Sequence, residues 1–175
     1  MIEDLKNGGI AALNVDERKP KEKTVIVVGV ERSGTSMVAQ VLIEMGVFLG
    51  DNYDHAVFED RKISESLERR RLKDFESLVS LYNQKYMVWG WKRPQSYEYV
   101  KRYIRLVRNP HFVVLFRDSF AIAVRNHISA NTKLEKNLLR TARSNLKLAE
   151  FVYRCKHPVF CVSYEKAMAK KEEFL

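Results

Sequence analysis

Apolar positions along this chain follow two patterns, continuous runs and helical spacings. Four short runs rich in β-branched and aromatic residues have the pattern of strands that are buried on both faces, as in a parallel sheet. These runs cover residues 24–30, 87–91, 112–116 and 158–162. The pattern therefore predicts four central strands.

Between and after these runs, apolar residues recur three or four positions apart, as in helices that pack on a sheet by one face. The helices predicted from this spacing cover residues 35–45, 63–82, 96–107, 120–128 and 134–153, with a last helix from Glu165. Such alternation of strands and helices indicates a parallel sheet between two helical layers. We therefore expect a three-layer α/β fold with a mostly parallel central sheet of at least four strands.

Length and composition fit one globular domain. The chain has 175 residues, of which 46% are hydrophobic and 30% charged, and no apolar stretch approaches the about 20 residues that span a bilayer. Residues 1–22 are mixed and charged, so we expect a mobile or loosely packed lead-in before a single domain over residues 23–175. With no apolar signal-peptide core and no disulfide or metal pattern at Cys155 and Cys161, a cytoplasmic protein is expected.

Positive charge is in excess, with a net charge of +9. Lysine and arginine are spread along the chain, and their one dense cluster, at residues 69–73, is interpreted as a solvated helix face. A diffuse excess of this kind suits nucleic acid, an anionic membrane or a polyanionic small ligand. Charge alone does not choose among these partners.

The end of the first predicted strand carries the most informative segment, GVERSGTS from Gly29 to Ser36. Two glycines separated by four residues, between a buried strand and a helix, match a P-loop, whose backbone N–H groups and helix N-terminus bind an anion. P-loop nucleoside triphosphatases place a lysine directly after the second glycine and a Mg²⁺-binding hydroxyl next. Here Thr35 occupies the lysine position, and the nearby cation is Arg32. The loop is therefore predicted to bind an anion other than Mg-ATP.

The segment from Arg32 to Ser36, RSGTS, resembles the 5′-phosphosulfate loop of sulfotransferases, in which a basic residue precedes Ser-Gly-Thr-Thr or Ser-Gly-Thr-Ser. The resemblance extends over about residues 24–168 and includes VFLG at 47–50, WGWKRP at 89–94, FRDS at 116–119 and VSYEK at 162–166. It implies a P-loop-type fold that uses 3′-phosphoadenosine 5′-phosphosulfate (PAPS) as the sulfuryl donor. It also implies in-line, metal-independent transfer of the sulfuryl group to a hydroxyl or amine acceptor.

The resemblance assigns donor-binding roles to the loop. The family holds the 5′-phosphosulfate by the loop amides and by hydroxyls that match Thr35 and Ser36, and the basic loop residue lies near the oxygen that bridges phosphorus and sulfur. Negative charge develops on that oxygen as the sulfuryl group leaves, so a fixed cation there stabilises the transition state. The implied loop residues are Arg32, Ser33, Gly34, Thr35 and Ser36.

The third predicted strand ends at a segment that resembles the family's 3′-phosphate motif. Arg117 matches the arginine of that motif, but the serine expected eight residues later is replaced by Arg125. Arg125 either binds the same phosphate through its charged fork or faces solvent. Asp118 and Ser119 are expected to cap the following helix.

The implied catalytic residues are Arg32, Lys92 and Glu59. Lys92 matches a family lysine that approaches the transferring group, although a surface lysine is the alternative. The acceptor must lose a proton, and some relatives use a glutamate in a Phe-Glu segment as the general base. Glu59 occupies such a segment, and Asp60 is expected to cap the next helix, although the alternative is that both carboxylates cap it. His55 is the second candidate base.

Other functions remain open. A P-loop nucleotide or small-molecule kinase is one alternative, and a non-catalytic anion-binding module is another. The sequence has no recognised nucleic-acid motif, so a nucleic-acid partner is not expected, and the acceptor is expected to be a small molecule, a glycan or a lipid headgroup. Family members usually continue beyond the Tyr-Glu motif, whereas this sequence ends at Leu175, which suits a compact member, a truncated form or a fold without turnover.

Overall fold

The computed structural model describes residues 8–51 and 57–169. A five-stranded sheet lies at its centre, in the order β1-β5-β4-β2-β3. Strands β2 to β5 are parallel to their neighbours, and β1 is antiparallel to β5. The sheet is therefore mixed and mostly parallel, as predicted. The strands are Ile10–Leu13 (β1), Lys23–Gly29 (β2), Val88–Lys92 (β3), Pro110–Phe116 (β4) and Val159–Ser163 (β5).

Helices cover both faces of the sheet. They are Thr35–Glu44 (α1), Arg61–Glu68 (α2), Leu72–Lys85 (α3), Ser119–Ala130 (α4), Leu134–Arg154 (α5) and Tyr164–Ala169 (α6). In the described part of the chain, none of the helices is long and apolar enough to cross a bilayer.

Alternate residues of the strands pack into separate clusters. Ile26 and Phe112 belong to the larger cluster, together with Phe75 of α3 and Leu148 of α5. Val27 and Leu115 belong to the smaller cluster, together with Val38 of α1 and Ala167 of α6. Because successive strand residues point to opposite faces, α1 and α6 cover one face, while α3 and α5 cover the other. This confirms the predicted layered α/β fold.

The helix predicted over residues 63–82 is two helices. The break lies at Arg69–Arg71, where Arg70 adopts a left-handed conformation with φ of 56°. The apolar spacing continues across the break because both α2 and α3 bury one side, with Ile63 and Phe75 fully buried. The arginine cluster interpreted as a helix face is therefore mainly the junction between two helices.

The α-helix expected over residues 96–107 is instead three short 3₁₀-helices, Pro94–Glu98, Val100–Arg102 and Ile104–Leu106. Tyr97, Val100 and Tyr103 are all buried. Their separation of three residues matches the 3₁₀ period of three residues per turn. The prediction of a helical segment is correct, but the prediction of an α-helix is wrong, because the spacing belongs to 3₁₀-helices.

The charged lead-in predicted over residues 1–22 contains strand β1, which was not predicted. Ile10–Leu13 pairs with β5 at the edge of the sheet, and all its residues are exposed. Asn14 then donates hydrogen bonds to the carbonyl oxygens of Cys155 and His157, at 2.9 and 3.2 Å. An exposed edge strand has no alternating burial pattern, so hydrophobic periodicity could not detect it.

The close approach of β2 and β3 depends on a glycine. A Cβ atom at Gly90 would lie 1.9 Å from the carbonyl oxygen of Val25. On either side of Gly90, Trp89 and Trp91 are fully buried. This packing fixes the carboxyl end of β3 beside that of β2, where Lys92 follows.

Candidate anion-binding site at the carboxyl ends of the strands

The loop between β2 and α1 is a tight turn shaped by glycine. Gly34 is the N-cap of α1 and has φ of 100°, and Arg32 is also left-handed, with φ of 67°. A Cβ atom at Gly34 would lie 2.4 Å from Cδ2 of Tyr164. The loop therefore packs directly against the first residue of α6, and only glycine fits the turn at this position.

Ser33 is buried inside this loop. The residue is fully buried, and its Oγ has no hydrogen-bond partner in the described structure. A Cβ atom at Gly29 would lie 2.6 Å from that oxygen. An unsatisfied buried hydroxyl is uncommon in a folded protein, and this one lies within the predicted anion-binding turn.

A cavity of about 500 Å³ opens at the carboxyl edge of the sheet. Every site residue predicted from the sequence lines this cavity except Ser33, and His55 lies outside the described residues. The predicted residues on the lining are Arg32, Gly34, Thr35, Ser36, Glu59, Lys92, Arg117 and Arg125. Residues that the sequence did not suggest are Glu31, Met37, Val57, Pro94 and Tyr164.

Basic side chains outnumber acidic ones on this lining, since Glu31 and Glu59 are its only carboxylates among the described residues. The cavity lies at the start of α1, where the helix dipole adds partial positive charge. Its volume falls within the about 300–1,000 Å³ usual for ligand pockets. The cavity is therefore suited to an anionic ligand of nucleotide size.

Arg117 is fixed between the loop and α6. Its Nη1 donates a 2.8 Å hydrogen bond to the carbonyl oxygen of Arg32, and its guanidinium carbon lies 4.3 Å from the centroid of the Tyr164 ring. Its buried Nε has no hydrogen-bond partner among the described residues. Tyr164 therefore contacts both the loop and Arg117, a double role that connects residues far apart in the sequence.

Asp118 is the N-cap of α4, as predicted. Its Oδ1 accepts a 2.7 Å hydrogen bond from the backbone N–H of Ala121, while its own N–H donates to Glu165 at 2.9 Å. Ser119 begins the helix rather than capping it, and its hydroxyl accepts from Asn145 of α5 at 2.8 Å. These contacts orient α4, which carries Arg125 at the cavity.

Lys92 and Glu59 form a largely buried ion pair. The Lys92 side chain is 3% exposed, and its Nζ lies 2.8 Å from Oε1 of Glu59. The same Nζ donates to the carbonyl oxygen of Val57 at 2.7 Å. Burial lowers the pKa of Lys92, although the adjacent Glu59 opposes this shift. Lys92 is therefore a buried cation of the cavity rather than a surface lysine.

Asp60, and not Glu59, caps α2. Its Oδ1 accepts from the backbone N–H of Ile63 at 2.8 Å, and its other oxygen accepts from the Tyr82 hydroxyl at 3.1 Å. Burial, followed by the charge of Asp60, raises the pKa of Tyr82. The capping prediction for Asp60 is confirmed, which leaves the Glu59 carboxylate at the cavity.

Arg93 completes a network that the sequence did not reveal. Its guanidinium contacts the carboxylates of Glu59 and of Glu68, the last residue of α2. Burial by itself would lower the pKa of Arg93. The hydrogen bond to Glu59 and the negative charges of Glu59 and Glu68 outweigh this effect, so the pKa of Arg93 is raised. Glu59 is thus held between Lys92 and Arg93. The sequence predicted Lys92 as a site residue, but it gave Arg93 no role and did not reveal their shared partner.

Comparison with known proteins supports the fold. No protein-family model matches the chain, and no curated protein is significantly similar to it. Among solved structures, a sulfotransferase domain from the curacin biosynthetic pathway is similar, with a TM-score of 0.55 and 13% identity over 87% of this chain and 70% of that domain. The sulfotransferase STF1 from Mycobacterium tuberculosis has a TM-score of 0.54 and 11% identity over 87% of this chain and 65% of that protein.

A sulfotransferase domain from a Synechococcus olefin synthase is also similar, with a TM-score of 0.50 and 15% identity over 93% of this chain and 73% of that domain. At these identities the likeness concerns the fold alone. The chain therefore has a sulfotransferase-like P-loop α/β fold, and it spans slightly less than two thirds of the mycobacterial protein.

Proposed function

We propose that this protein is a sulfotransferase that transfers a sulfuryl group from PAPS to a hydroxyl or amine acceptor without a metal ion. The observation that carries the proposal is the single cavity that joins a lysine-free P-loop to Arg117 and Arg125. A P-loop kinase needs the missing lysine for its nucleotide phosphates. Arg117 and Arg125, in addition to the loop, suit a donor with two separate anionic groups.

The residues present fit such a donor. The loop from Arg32 to Ser36 would hold the 5′-phosphosulfate, and Arg117 with Arg125 would hold the 3′-phosphate through charge-assisted hydrogen bonds. Arg117 lines the cavity, and its buried Nε has no hydrogen-bond partner among the described residues. An unsatisfied buried polar group of this kind gains most from a ligand that completes its hydrogen bonds.

The chemistry supplied by the bound donor is an activated sulfuryl group on a phosphate leaving group. The bond from the acceptor oxygen or nitrogen to sulfur forms as the sulfur–oxygen bond to the phosphate breaks, and the electron pair stays on the phosphate oxygen. Arg32 would stabilise that oxygen as its charge develops. The acceptor's proton would pass to Glu59, which lines the same cavity.

Lys92 would serve as a second cation at the reacting group. Burial disfavours its charge, so an additional anion nearby would compete with Glu59 for its Nζ. An anion that draws the Nζ of Lys92 away would free the Oε1 of Glu59 to take the proton of the acceptor. The two proposed roles are therefore coupled.

Ligand-dependent thermal stability tests the proposal. Adenosine 3′,5′-bisphosphate at 100 times its dissociation constant should stabilise the protein by about 2.7 kcal/mol. For a domain of this size we expect a rise in Tm of about 5–11 °C, with a much smaller rise for ATP and Mg²⁺. Equal shifts with both nucleotides would favour the kinase alternative.

Transfer in the presence of EDTA provides an independent measurement. Labelled sulfuryl groups should move from PAPS to acceptor at the same rate with and without the chelator. Activity that is lost with EDTA and restored by Mg²⁺ would exclude the metal-independent mechanism.

A further inference from the structure

Helix α5 carries a row of basic residues on one face, here called the basic stripe. It consists of Lys136, Arg140, Arg143 and Lys147, which follow one another at spacings of four, three and four residues. Residues at such spacings are neighbours on one helix face. All of them are exposed, so the proposed donor site leaves their charge unused.

The basic stripe is continuous with the candidate site. A small cleft of about 110 Å³ shares Glu31 with the main cavity and includes Arg140. Arg140 also lines a groove of about 310 Å³ along the stripe, and Lys147 belongs both to this groove and to a further cleft with Lys101 and Arg154. A path of clefts therefore leads from the cavity along α5. Its first cleft holds Glu31 and Glu98 beside Arg140, and cations are in excess beyond it.

The path is longer than the donor requires. From Lys136 to Arg154 the axis of α5 extends about 27 Å at 1.5 Å per residue. The donor phosphates have their own cations at Arg32 and Arg117. The length and spacing of the stripe instead suit a chain molecule that carries repeated negative charges.

Existing ion pairs along the path are weak competitors for such a ligand. Arg140 lies 3.9 Å from Glu31 and Lys147 lies 3.2 Å from Glu98, and all these side chains are substantially exposed. Exposed pairs contribute only about 0–1 kcal/mol each. Within the described residues, Lys136 and Arg143 form no ion pair.

The clefts along the path present no exposed ring among the described residues, which disfavours nucleic acid, and the exposed Tyr153 of α5 lines none of them. Single-stranded nucleic acids bind by stacking bases on aromatic side chains beside a basic groove. The aromatic residues that line the described part of the path are Tyr97 and Phe151, which are only 5% and 8% exposed. A polysaccharide needs no such rings, and it supplies both anionic groups for the stripe and hydroxyl groups for the reaction.

We infer that the acceptor is an anionic polysaccharide, which lies along the basic stripe and presents one hydroxyl or amine group to the cavity. This inference rests on the proposed sulfotransferase function. In the transfer step, the sugar oxygen or nitrogen forms its bond to sulfur, the bond from sulfur to the donor phosphate breaks, and the proton goes to Glu59.

Binding of fluorescently labelled polygalacturonate oligosaccharides tests the inference, with anisotropy as the measurement. The double variant Lys136→Glu/Arg143→Glu should bind at least about tenfold more weakly than the wild type near 0.15 M salt, since screening is incomplete at these distances. Lys62→Glu/Lys73→Glu is the matched control, because it changes the net charge equally at exposed positions of α2 and α3. The control should alter affinity by less than about threefold.

Three results would overturn the inference. Equal weakening in both double variants would show that only net charge matters, and equal binding by all three proteins would show that the stripe is not used. The surface would be assigned to nucleic acid if the wild type bound single-stranded oligothymidylate more tightly than polygalacturonate and the stripe variant lost the binding of oligothymidylate.

Stabilisation by adenosine 3′,5′-bisphosphate separates this inference from the proposed function. The nucleotide should raise Tm equally in the wild type and in both double variants, because none of the changed residues lines the cavity. Failure of the nucleotide to stabilise the wild type would refute the donor site. If the nucleotide stabilises the wild type but the stripe variant does not lose affinity for polygalacturonate relative to the control, only the acceptor inference is refuted.

Discussion

The Glu59→Gln substitution separates two roles of the same carboxylate, charge partner and general base. Glutamine keeps the shape and can still accept a hydrogen bond from Lys92, but it carries no charge. Lys92 is 3% exposed and would lose its carboxylate partner at 2.8 Å. Removing one member of a fully buried pair costs about 3–5 kcal/mol, and an accepted hydrogen bond to a charged group retains about 1.5–3 kcal/mol. The expected loss of stability is therefore about 2 kcal/mol, or about 4–8 °C in Tm.

The effect on the reaction should be larger than the effect on stability. If Glu59 takes the acceptor's proton, turnover per folded molecule should fall by about 10²–10⁴-fold. The affinity for adenosine 3′,5′-bisphosphate should change little. Urea unfolding gives the stability, and single-turnover transfer with saturating donor gives the rate.

Asp60→Asn is the control for this experiment. Asp60 caps α2 and accepts from Tyr82, so its change should lower stability by about 0.5–2 kcal/mol without a comparable loss of rate. An unchanged Tm in Glu59→Gln would refute the ion-pair argument, and unchanged turnover would refute the role as base. If His55→Ala abolishes transfer while Glu59→Gln does not, the base is His55.

Three further predictions concern binding, loop geometry and pH. Arg117→Ala should weaken the binding of adenosine 3′,5′-bisphosphate by about 10–100-fold, as expected when hydrogen bonds to a charged group are lost. An unchanged dissociation constant in titration calorimetry would exclude Arg117 as a ligand of the nucleotide. Gly34→Ala should lower stability by more than about 1–2 kcal/mol, since its Cβ would lie 2.4 Å from Tyr164, and a wild-type urea midpoint would contradict the loop geometry. Burial of the His157 ring, and secondly the charge of His111, lower the pKa of His157 below its usual value of 6.5. The unfolded state therefore binds more protons than the folded state, and the free energy of unfolding falls as the pH drops below about 6.5. His157→Gln should reduce this loss between pH 7.5 and 5.5, and an identical loss in both proteins would show that His157 is not its source.

The parts of the fold that were predicted correctly depend on local sequence. Each of the four parallel strands is a continuous apolar run, because helices cover both sheet faces. The P-loop is likewise contiguous from Gly29 to Ser36, between a buried strand and a helix. Parallel strands end at the same edge, so Lys92 and Arg117, at the ends of two further predicted strands, lie near the loop.

The features that were missed depend on contacts between distant residues. Strand β1 exists through its pairing with β5, and its side chains are exposed. The contact of Tyr164 with Gly34 and Arg117 joins three separate segments. No periodicity or short motif encodes such pairings, so they become visible only once the chain is folded.

The network around Glu59 bears on how a doubly paired carboxylate could act as a base. Two cations hold Glu59 in the described structure, one at each carboxylate oxygen, so a proton from the acceptor can reach the carboxylate only when one of these contacts opens. Arg93, however, also contacts Glu68, so it could leave Glu59 and still keep a carboxylate partner. Lys92 has no second carboxylate among the described residues, and only another anion could replace Glu59 beside it. If Glu59 is the base, an anion that occupies the cavity and draws Lys92 away should therefore free the Oε1 of Glu59 to accept a proton, which couples proton transfer to donor binding.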